Sequence, residues 1–328
     1  MRLLVALFLA SLPPLACADS PTRPRTVESG KFAFAPIDDQ ADTPKRYRLA
    51  AGEYRYEMEK TRDLPAIDTS IYHLTFPSPV KTTTVENNTV HAEYYRPTGK
   101  GPFPAVIVLD ITAGNQMLSR HLATHFAANG IAALFVQMAH YGPRRPVGSK
   151  VRLMSPNLTQ TTAGVTQTVL DMRVAAAWLS SRPEIDRKQL GIMGTSLGSF
   201  LAALTGEMEP RLARVGVLLG GGGFVKGYSG HPLARPYLML WGAFGGKLDG
   251  LEKVFAPIDP LTCAANLVKR DLLILAASRD DVVPPAMARM LWEASGKQKI
   301  VWYDATHYTA AFHIADAMER LVDHFRAR

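Results

Sequence analysis

The most informative stretch of the chain runs from Leu190 to Ala202 and reads LGIMGTSLGSFLA. Its first four residues form an apolar run of strand length, and its end continues as an apolar pattern of helical period. Between them, positions 194–198 read Gly-Thr-Ser-Leu-Gly. Glycines around Ser196 permit a sharp strand-to-helix turn that would crowd any Cβ, and this turn lifts the serine oxygen above the strand end. A Gly/Ser loop could carry the same letters, but the flanking strand and helix favour Ser196 as a nucleophile.

The helix that begins after Ser196 also creates a site for negative charge. Its free N–H groups and the positive end of its dipole point toward the serine. The Leu197 amide is therefore the first predicted donor to an oxyanion formed during acyl transfer. A serine hydroxyl is a weak nucleophile, so it also needs a base and an orienting carboxylate from elsewhere in the chain.

Candidates for that base and that carboxylate lie in loops after later predicted strands. Residues 277–285 read ASRDDVVPP, follow an apolar run at 272–276, and contain Asp280 and Asp281. His307 follows the last apolar run, at 300–303. Because the carboxyl ends of parallel strands meet at one edge of a sheet, we expect Ser196, a carboxylate and His307 to meet there.

Strand and helix patterns alternate through most of the chain. The predicted strands share short, continuous apolar runs and lie at 105–109, 131–136, 190–193, 215–219, 272–276 and 300–303. The predicted helices share a helical apolar period and lie at 119–129, 165–181, 197–207, 285–295 and 309–326. This alternation predicts an α/β fold whose mainly parallel twisted sheet has helices on both faces.

Other segments interrupt or precede this alternation. Residues 81–85 and 90–95 alternate like an N-terminal antiparallel strand pair joined at Asn87 and Asn88. Two stretches, 139–164 and 220–262, follow predicted strands without strand or helix patterns of their own. We expect both to be insertions that form pocket walls, because open α/β sheets bind ligands at this edge.

Three motifs in this order resemble the α/β-hydrolase superfamily, and the resemblance covers about residues 80–326. They are the pentapeptide at 194–198, the Asp-x-x-Val-Pro pattern at 280–284 and Thr-His at 306–307. Within the superfamily, AAAWL at 175–179 before RPEID at 182–186, and LWEA at 291–294, resemble the esterase and prolyl-oligopeptidase-like branch. That branch includes dienelactone hydrolases and acetyl xylan esterases. The resemblance implies the α/β-hydrolase fold but does not fix a substrate.

The resemblance also implies roles for individual residues. Ser196, His307 and Asp280 would form a catalytic triad. Asp281 is the alternative carboxylate, but the family pattern selects Asp280 because Asp281 lies one position too close to the proline. Relatives usually carry His-Gly after the third strand, whereas this chain has Asp110 there, followed by Ile111 and Thr112. A backbone amide at either of the last two would be the second oxyanion donor, since backbone donation requires no particular side chain. A carboxylate beside an oxyanion is unfavourable, so we expect Asp110 to bond local amides instead.

Composition excludes several other classes of protein. The chain has 328 residues, 47% hydrophobic, with 37 Lys and Arg against 29 Asp and Glu, a formal net charge of +8. This is the composition of a globular protein rather than of a disordered one. The basic residues are scattered without a nucleic-acid motif, so we expect no nucleic-acid partner. His121 and His125 lie four residues apart, but no carboxylate or cysteine cluster accompanies them, so we expect no metal.

The N-terminus indicates export. Residues 1–18 combine a basic start, an apolar run and a small-x-small sequence, which predicts a signal peptide rather than a membrane span. A lipid anchor on Cys17 is the alternative. After cleavage Cys263 would be the remaining cysteine, which we interpret as a structural thiol rather than a nucleophile. We expect residues 19–75 to form an extension packed on a catalytic domain of residues 76–328.

The sequence therefore predicts an exported, periplasmic or secreted serine hydrolase that cleaves small-molecule carboxylic esters through an acyl-enzyme, without a cofactor. A prolyl-oligopeptidase-like peptidase is one alternative, and a non-catalytic binding protein with a vestigial triad is another. The acyl group, the alcohol and the oligomeric state are not predicted.

Overall fold

The computed structural model describes residues 27–112, 116–232 and 234–326. Within these ranges ten strands form one mixed sheet in the order β1-β2-β3-β4-β6-β5-β7-β8-β9-β10. The strands are β1 Val27–Phe34, β2 Gly52–Leu64, β3 Thr69–Pro77, β4 Thr89–Pro97, β5 Phe103–Leu109, β6 Ala132–Val136, β7 Ile185–Thr195, β8 Leu212–Leu218, β9 Asp271–Ala277 and β10 Lys299–Tyr303. The predicted signal peptide and Cys17 lie outside the described residues.

Eight α-helices connect or flank these strands in the described part of the chain. They are α1 Met117–Ala128, α2 Leu158–Ser181, α3 Leu197–Met208, α4 Phe224–Tyr228, α5 Arg235–Ala243, α6 Leu248–Phe255, α7 Pro285–Ala294 and α8 Ile314–Arg326. The pairs from β6 to β10 are parallel, whereas those from β1 to β4 and between β4 and β6 are antiparallel. The predicted fold, a mainly parallel sheet with antiparallel N-terminal strands, is confirmed.

The N-terminal antiparallel strands differ from the predicted pair. β4 lies where the second predicted strand was expected, but its partner is β3 rather than residues 81–85. The side chain of Asn88 closes 81–85 into a loop, because it accepts from the Thr82 amide at 2.7 Å and donates to the Thr82 carbonyl at 3.0 Å. Such local side-chain bonds compete with a strand ladder. The prediction of a strand at 81–85 was wrong.

Residues 19–75 were expected to be an extension, and their described part, 27–75, supplies β1, β2 and most of β3 to the central sheet. The expected boundary near residue 75 falls within β3. Aromatic side chains join these strands to the core: the ring of Phe32 in β1 stacks on Tyr54 in β2 at 5.5 Å, and the ring of Tyr56 contacts Trp178 of α2 edge-on at 5.9 Å.

Helices cover both faces of the parallel part of the sheet. Alternate residues of β5 show this, since Ile107 belongs to the core under α2 and α3, whereas Val106 and Val108 belong to the core under α1 and α8. Strand side chains alternate between faces, so a strand buried on both sides reads as one continuous apolar run. This burial explains why the central strands could be predicted from sequence.

The two expected insertions differ in structure. The first is shorter than predicted, because α2 begins at Leu158, where Asn157 caps it by accepting from the Gln160 amide at 3.2 Å. The second, residues 220–262, carries the short helices α4, α5 and α6, which the sequence did not predict. Both insertions follow the carboxyl ends of parallel strands, β6 and β8.

Candidate active site

Ser196 sits at a strained turn between β7 and α3. Its backbone has φ 51° and ψ −115°, and its amide donates to the Leu218 carbonyl at 2.9 Å. A Cβ on Gly194 would lie 2.1 Å from the carbonyl carbon of Gly198. A Cβ on Gly198 would lie 2.5 Å from the carbonyl oxygen of Asp110. Both glycines are thus required by close backbone approach, and the turn they permit exposes the serine at the sheet edge.

His307 lies within hydrogen-bond distance of both other candidate residues. Its Nε2 is 3.1 Å from Ser196 Oγ, and its Nδ1 is 2.8 Å from Asp280 Oδ2. The three residues follow β7, β9 and β10, which end at one edge of the sheet. An ionised carboxylate can only accept, so Nδ1 carries a proton and Nε2 presents its lone pair to the serine hydroxyl. This arrangement can move a proton from Ser196 to His307.

Asp280, rather than Asp281, is the carboxylate that contacts His307. The Asp280 side chain is 3% exposed, and its Oδ1 accepts from the amides of Val282 at 2.9 Å and Val283 at 2.7 Å. These two bonds fix the carboxylate so that Oδ2 faces the imidazole. Asp281 is exposed, and its backbone carbonyl lies 3.0 Å from Nε2 of His231. The one-residue difference decides which side chain turns inward.

The predicted oxyanion donors belong to segments that follow β5 and β7, two neighbouring strands of the sheet. Leu197 is the first residue of α3, so its amide has no partner within the helix. Ile111 and Thr112 follow β5, whose last residues approach the turn at Gly198. Residues 113–115, which continue this loop, are not among those described.

The Asp110 side chain contacts the first turn of α1. Its Oδ1 accepts from the Ser119 hydroxyl at 2.9 Å. Burial raises the pKa of Asp110, whereas the Ile111 amide, the Ser119 hydroxyl and the Gln116 amide oppose that rise. Oδ1 thus interacts with a local donor at the start of α1, whereas the buried Oδ2 has no hydrogen-bond partner among the described residues.

The second insertion contacts the loop that carries Asp280. The Tyr228 hydroxyl donates to the Val282 carbonyl at 2.8 Å, and burial together with the charge of Asp280 raises the pKa of Tyr228 to about 12. His231 bonds the same loop at Asp281. Sequence reasoning missed both residues, because neither belongs to a motif and their partners are about fifty residues away in the chain.

Rival groups show no comparable arrangement. Burial, with the nearby charge of Glu207, raises the pKa of the Cys263 thiol to about 11, which disfavours the thiolate that a nucleophile needs. Cys263 is partly exposed and forms no disulfide. Within residues 27–112, 116–232 and 234–326, no group of three or more His, Cys, Asp or Glu side chains is placed to hold a metal ion.

Two family models match this chain. The model of the prolyl oligopeptidase family matches residues 162–327, and the model described as alpha/beta hydrolase domain containing 18 matches residues 44–220. The chain belongs to the α/β-hydrolases and to the prolyl oligopeptidase family. This α/β-hydrolase is thus a member of a serine hydrolase-like family, and the predicted superfamily and branch are confirmed.

Relatives of this α/β-hydrolase include proteins without an assigned activity. An uncharacterized protein of Mycobacterium tuberculosis is 26% identical over 212 residues. The match spans 63% of this chain and 63% of the relative, so it covers less than two thirds of the relative's length.

Solved structures share the fold at low sequence identity. Acetyl xylan esterase 1 from Thermoanaerobacterium sp. JW/SL YS485 is 19% identical with a TM-score of 0.62, and the match covers 83% of this chain and 88% of that one. A Mycobacterium tuberculosis puromycin-hydrolyzing peptidase is 18% identical with a TM-score of 0.56, covering 83% of this chain and 45% of that one. Esterases and peptidases thus occur among proteins with this fold. No helix in the described part of the chain is long and apolar enough to cross a bilayer.

Proposed function

We propose that this α/β-hydrolase cleaves carboxylic esters through an acyl-enzyme on Ser196. The observation that carries the proposal is the continuous chain of short contacts from Ser196 Oγ through His307 to the buried carboxylate of Asp280. Each member is one that acyl transfer requires: a nucleophile, a base and a group that orients the base and stabilises its cation.

In the first half-reaction, Ser196 Oγ attacks the ester carbonyl carbon while His307 Nε2 takes the hydroxyl proton. The carbonyl oxygen becomes an oxyanion, which the amides of Leu197 and of Ile111 or Thr112 would stabilise. The carbon–oxygen bond to the alcohol then breaks, and Nε2 returns its proton to the leaving oxygen. Asp280 keeps the imidazole in the required tautomer throughout.

In the second half-reaction, water attacks the acyl-enzyme as His307 takes one of its protons. Collapse of the second tetrahedral intermediate returns that proton to Ser196 and releases the carboxylic acid. All of the groups in this cycle are side chains and backbone amides of this chain.

The direct test is Ser196→Ala, assayed with p-nitrophenyl acetate and with a fluorophosphonate probe. We expect kcat to fall by on the order of 10⁶-fold and labelling to disappear, because the proposed nucleophile is removed. Circular dichroism and the thermal midpoint should stay close to wild type, since alanine removes one exposed oxygen. Unchanged turnover in the folded variant would contradict the proposal, and a wild-type protein that the probe does not label would favour a vestigial triad.

A peptidase activity is the second candidate, because the prolyl oligopeptidase family model matches residues 162–327. The same three residues would cleave an amide, but the leaving amine would need its proton from His307 before departure. Turnover of aminoacyl-p-nitroanilides against p-nitrophenyl acetate separates the two. A higher kcat/KM on the anilides would replace the ester proposal with the peptidase.

We also propose that the protein is exported, because residues 1–18 read as a cleavable signal peptide. Expression with the native N-terminus, followed by fractionation and N-terminal sequencing, tests this. A mature chain starting at Asp19 is the expected result, whereas lipid attached to Cys17 would identify the anchored alternative.

A further inference from the structure

One face of the molecule combines exposed apolar side chains with unpaired cations. The insertions after β6 and β8 leave the sheet at its carboxyl edge, as does the turn at Ser196. In the sheet order, β6 lies on one side of β5 and β7, and β8 lies on the other. The insertions therefore flank the candidate active site.

The apolar part of this face lies in the second insertion, on α5 and the residue that follows it. None of the side chains described on α5 or α6 is buried. Met239 is 67% exposed, Leu240 59% and Phe244 84%. We call these three residues the apolar rim. Adjacent exposed apolar residues of this size mark sites that bind a partner or a membrane, because water disfavours such a patch.

Aromatic side chains beside the candidate histidine are also exposed, in the segment that follows β10 at the carboxyl edge of the sheet. Tyr308 directly follows His307 and is 71% exposed, and Phe312 in the next turn is 88% exposed. Exposed aromatic rings are favoured where protein meets a lipid headgroup region, since one ring can contact both apolar and polar groups.

The cationic part lies in the first insertion. The sequence from residue 111 to residue 170 contains no Asp or Glu. Two of its five basic residues are neutralised, since Arg120 pairs with Glu93 and Arg144 with Asp171.

The remaining three basic residues, Arg145, Lys150 and Arg152, are exposed. No carboxylate among the described residues forms an ion pair with any of them. We call these three residues the basic loop. Between its first two members, Val147 is fully exposed at the tip.

We propose that the basic loop and the apolar rim together dock this chain on an anionic phospholipid surface. Exposed apolar side chains next to cations match the headgroup region of such a surface, where apolar residues enter the acyl boundary and cations meet phosphates. A second copy of the chain fits this surface less well, because its own basic loop would repel the basic loop of the first copy. Docking would hold Ser196 near lipid esters, and only that consequence rests on the proposed function.

Docking is tested on the full chain carrying Ser196→Ala, so that binding is measured without hydrolysis. The assay is flotation with vesicles of phosphatidylglycerol and phosphatidylcholine, compared with vesicles of phosphatidylcholine alone. We expect co-flotation with the anionic vesicles that weakens as salt is raised, because cations near a charged surface are screened. Equal recovery with both vesicles, or none with either, would overturn the proposal while leaving ester hydrolysis by the unmutated enzyme untouched.

Charge variants test the basic loop. Arg145→Gln, Lys150→Gln and Arg152→Gln together should lower the vesicle partition coefficient by on the order of 100-fold, from about 1 kcal/mol per basic residue near an anionic surface. The matched control also removes three charges, with Arg187→Gln, Lys188→Gln and Lys299→Gln, exposed cations in the first residues of β7 and β10, on the opposite edge of the sheet. The control should bind the vesicles as the protein with Ser196→Ala alone does. An equal loss of binding in the basic-loop variant and in the control would show that net charge, rather than the basic loop, governs binding, and would overturn the proposed site.

Apolar variants separate membrane docking from self-association. Leu240→Ser with Phe244→Ser should weaken binding to anionic vesicles, whereas Ile37→Ser, 61% exposed outside both insertions, should not. The molar mass in solution is measured for each protein by light scattering. If the rim variant lowered the molar mass and left vesicle binding unchanged, the apolar rim would be an interface between copies and the lipid proposal would be wrong.

Discussion

Asp280→Asn is predicted to remove activity with little change in shape. Oδ1 of Asp280 accepts from two backbone amides, Val282 at 2.9 Å and Val283 at 2.7 Å. An asparagine here would keep those bonds only if its oxygen took the place of Oδ1. Its NH₂ group would then occupy the place of Oδ2, facing Nδ1 of His307, where the carboxylate oxygen now lies at 2.8 Å.

That orientation reverses the hydrogen bond to the imidazole. An amide NH₂ only donates, so Nδ1 would have to accept and the ring proton would move to Nε2. Nε2 would then point a proton at Ser196 Oγ, 3.1 Å away, and could not remove the serine proton. A wrong tautomer of this kind costs about 10⁴-fold in kcat, which equals about 5.4 kcal/mol of transition-state stabilisation.

Steady-state hydrolysis of p-nitrophenyl acetate measures the effect, with Asp281→Asn as the matched control. Asp281 is exposed, and its hydrogen bond with His231 uses the backbone carbonyl, which the variant retains, so its variant should keep wild-type kcat. The thermal midpoint of Asp280→Asn should stay within a few degrees of wild type, because both amide bonds survive. A loss of less than about 10-fold in Asp280→Asn, or an equal loss in both variants, would refute the assignment of Asp280.

Three further substitutions test other parts of the structure. Burial, with the nearby charge of Asp259, raises the pKa of Glu207 well above 4.5, and both of its carboxyl oxygens lack a partner in the described chain. The stability that Glu207 contributes is thus present in acid and lost as pH rises through the folded-state pKa. The free energy of unfolding of Glu207→Gln should therefore rise relative to that of wild type, by up to about 1.4 kcal/mol per pH unit, when both are unfolded in urea at increasing pH. Gly198→Ala should lower kcat/KM roughly 100-fold by shifting the oxyanion donors, whereas Gly164→Ala, whose nearest atoms lie 3.4 Å away, should not. Arg144→Met should lower the free energy of unfolding, measured in urea, by about 3–5 kcal/mol, because it leaves the buried Asp171 carboxylate without its cation.

The parts of the fold that could be predicted from sequence are those set by local pattern. The central segments of β5 to β9 are buried on both faces, so each appears as a continuous apolar run in the sequence, whereas the edge strand β10 is apolar but only partly buried. The turn at Ser196 could be predicted because two neighbouring glycines meet backbone atoms that no Cβ could approach. In both cases the pattern itself lies within a short stretch of chain, although the backbone that Gly198 approaches, at Asp110, is distant in sequence.

The parts that could not be predicted depend on contacts between distant residues. β2 has charged residues through most of its length and only one buried side chain, Met58. Its position in the sheet is fixed by β1 and β3 on either side rather than by its own composition. Likewise α5 has an apolar pattern, but nothing in its sequence indicates that this pattern faces outward.

The position of the candidate acid combines both kinds of constraint. The motif places Asp280 two and three residues before Val282 and Val283, whose amides bond its carboxylate, so this part of the geometry is set by neighbouring residues. The loop itself is also held from the second insertion, since Tyr228 bonds the Val282 carbonyl and His231 bonds that of Asp281. Any movement of α4 therefore shifts the loop that orients His307, and the insertion that borders the active site also helps to set the geometry of its proton transfer.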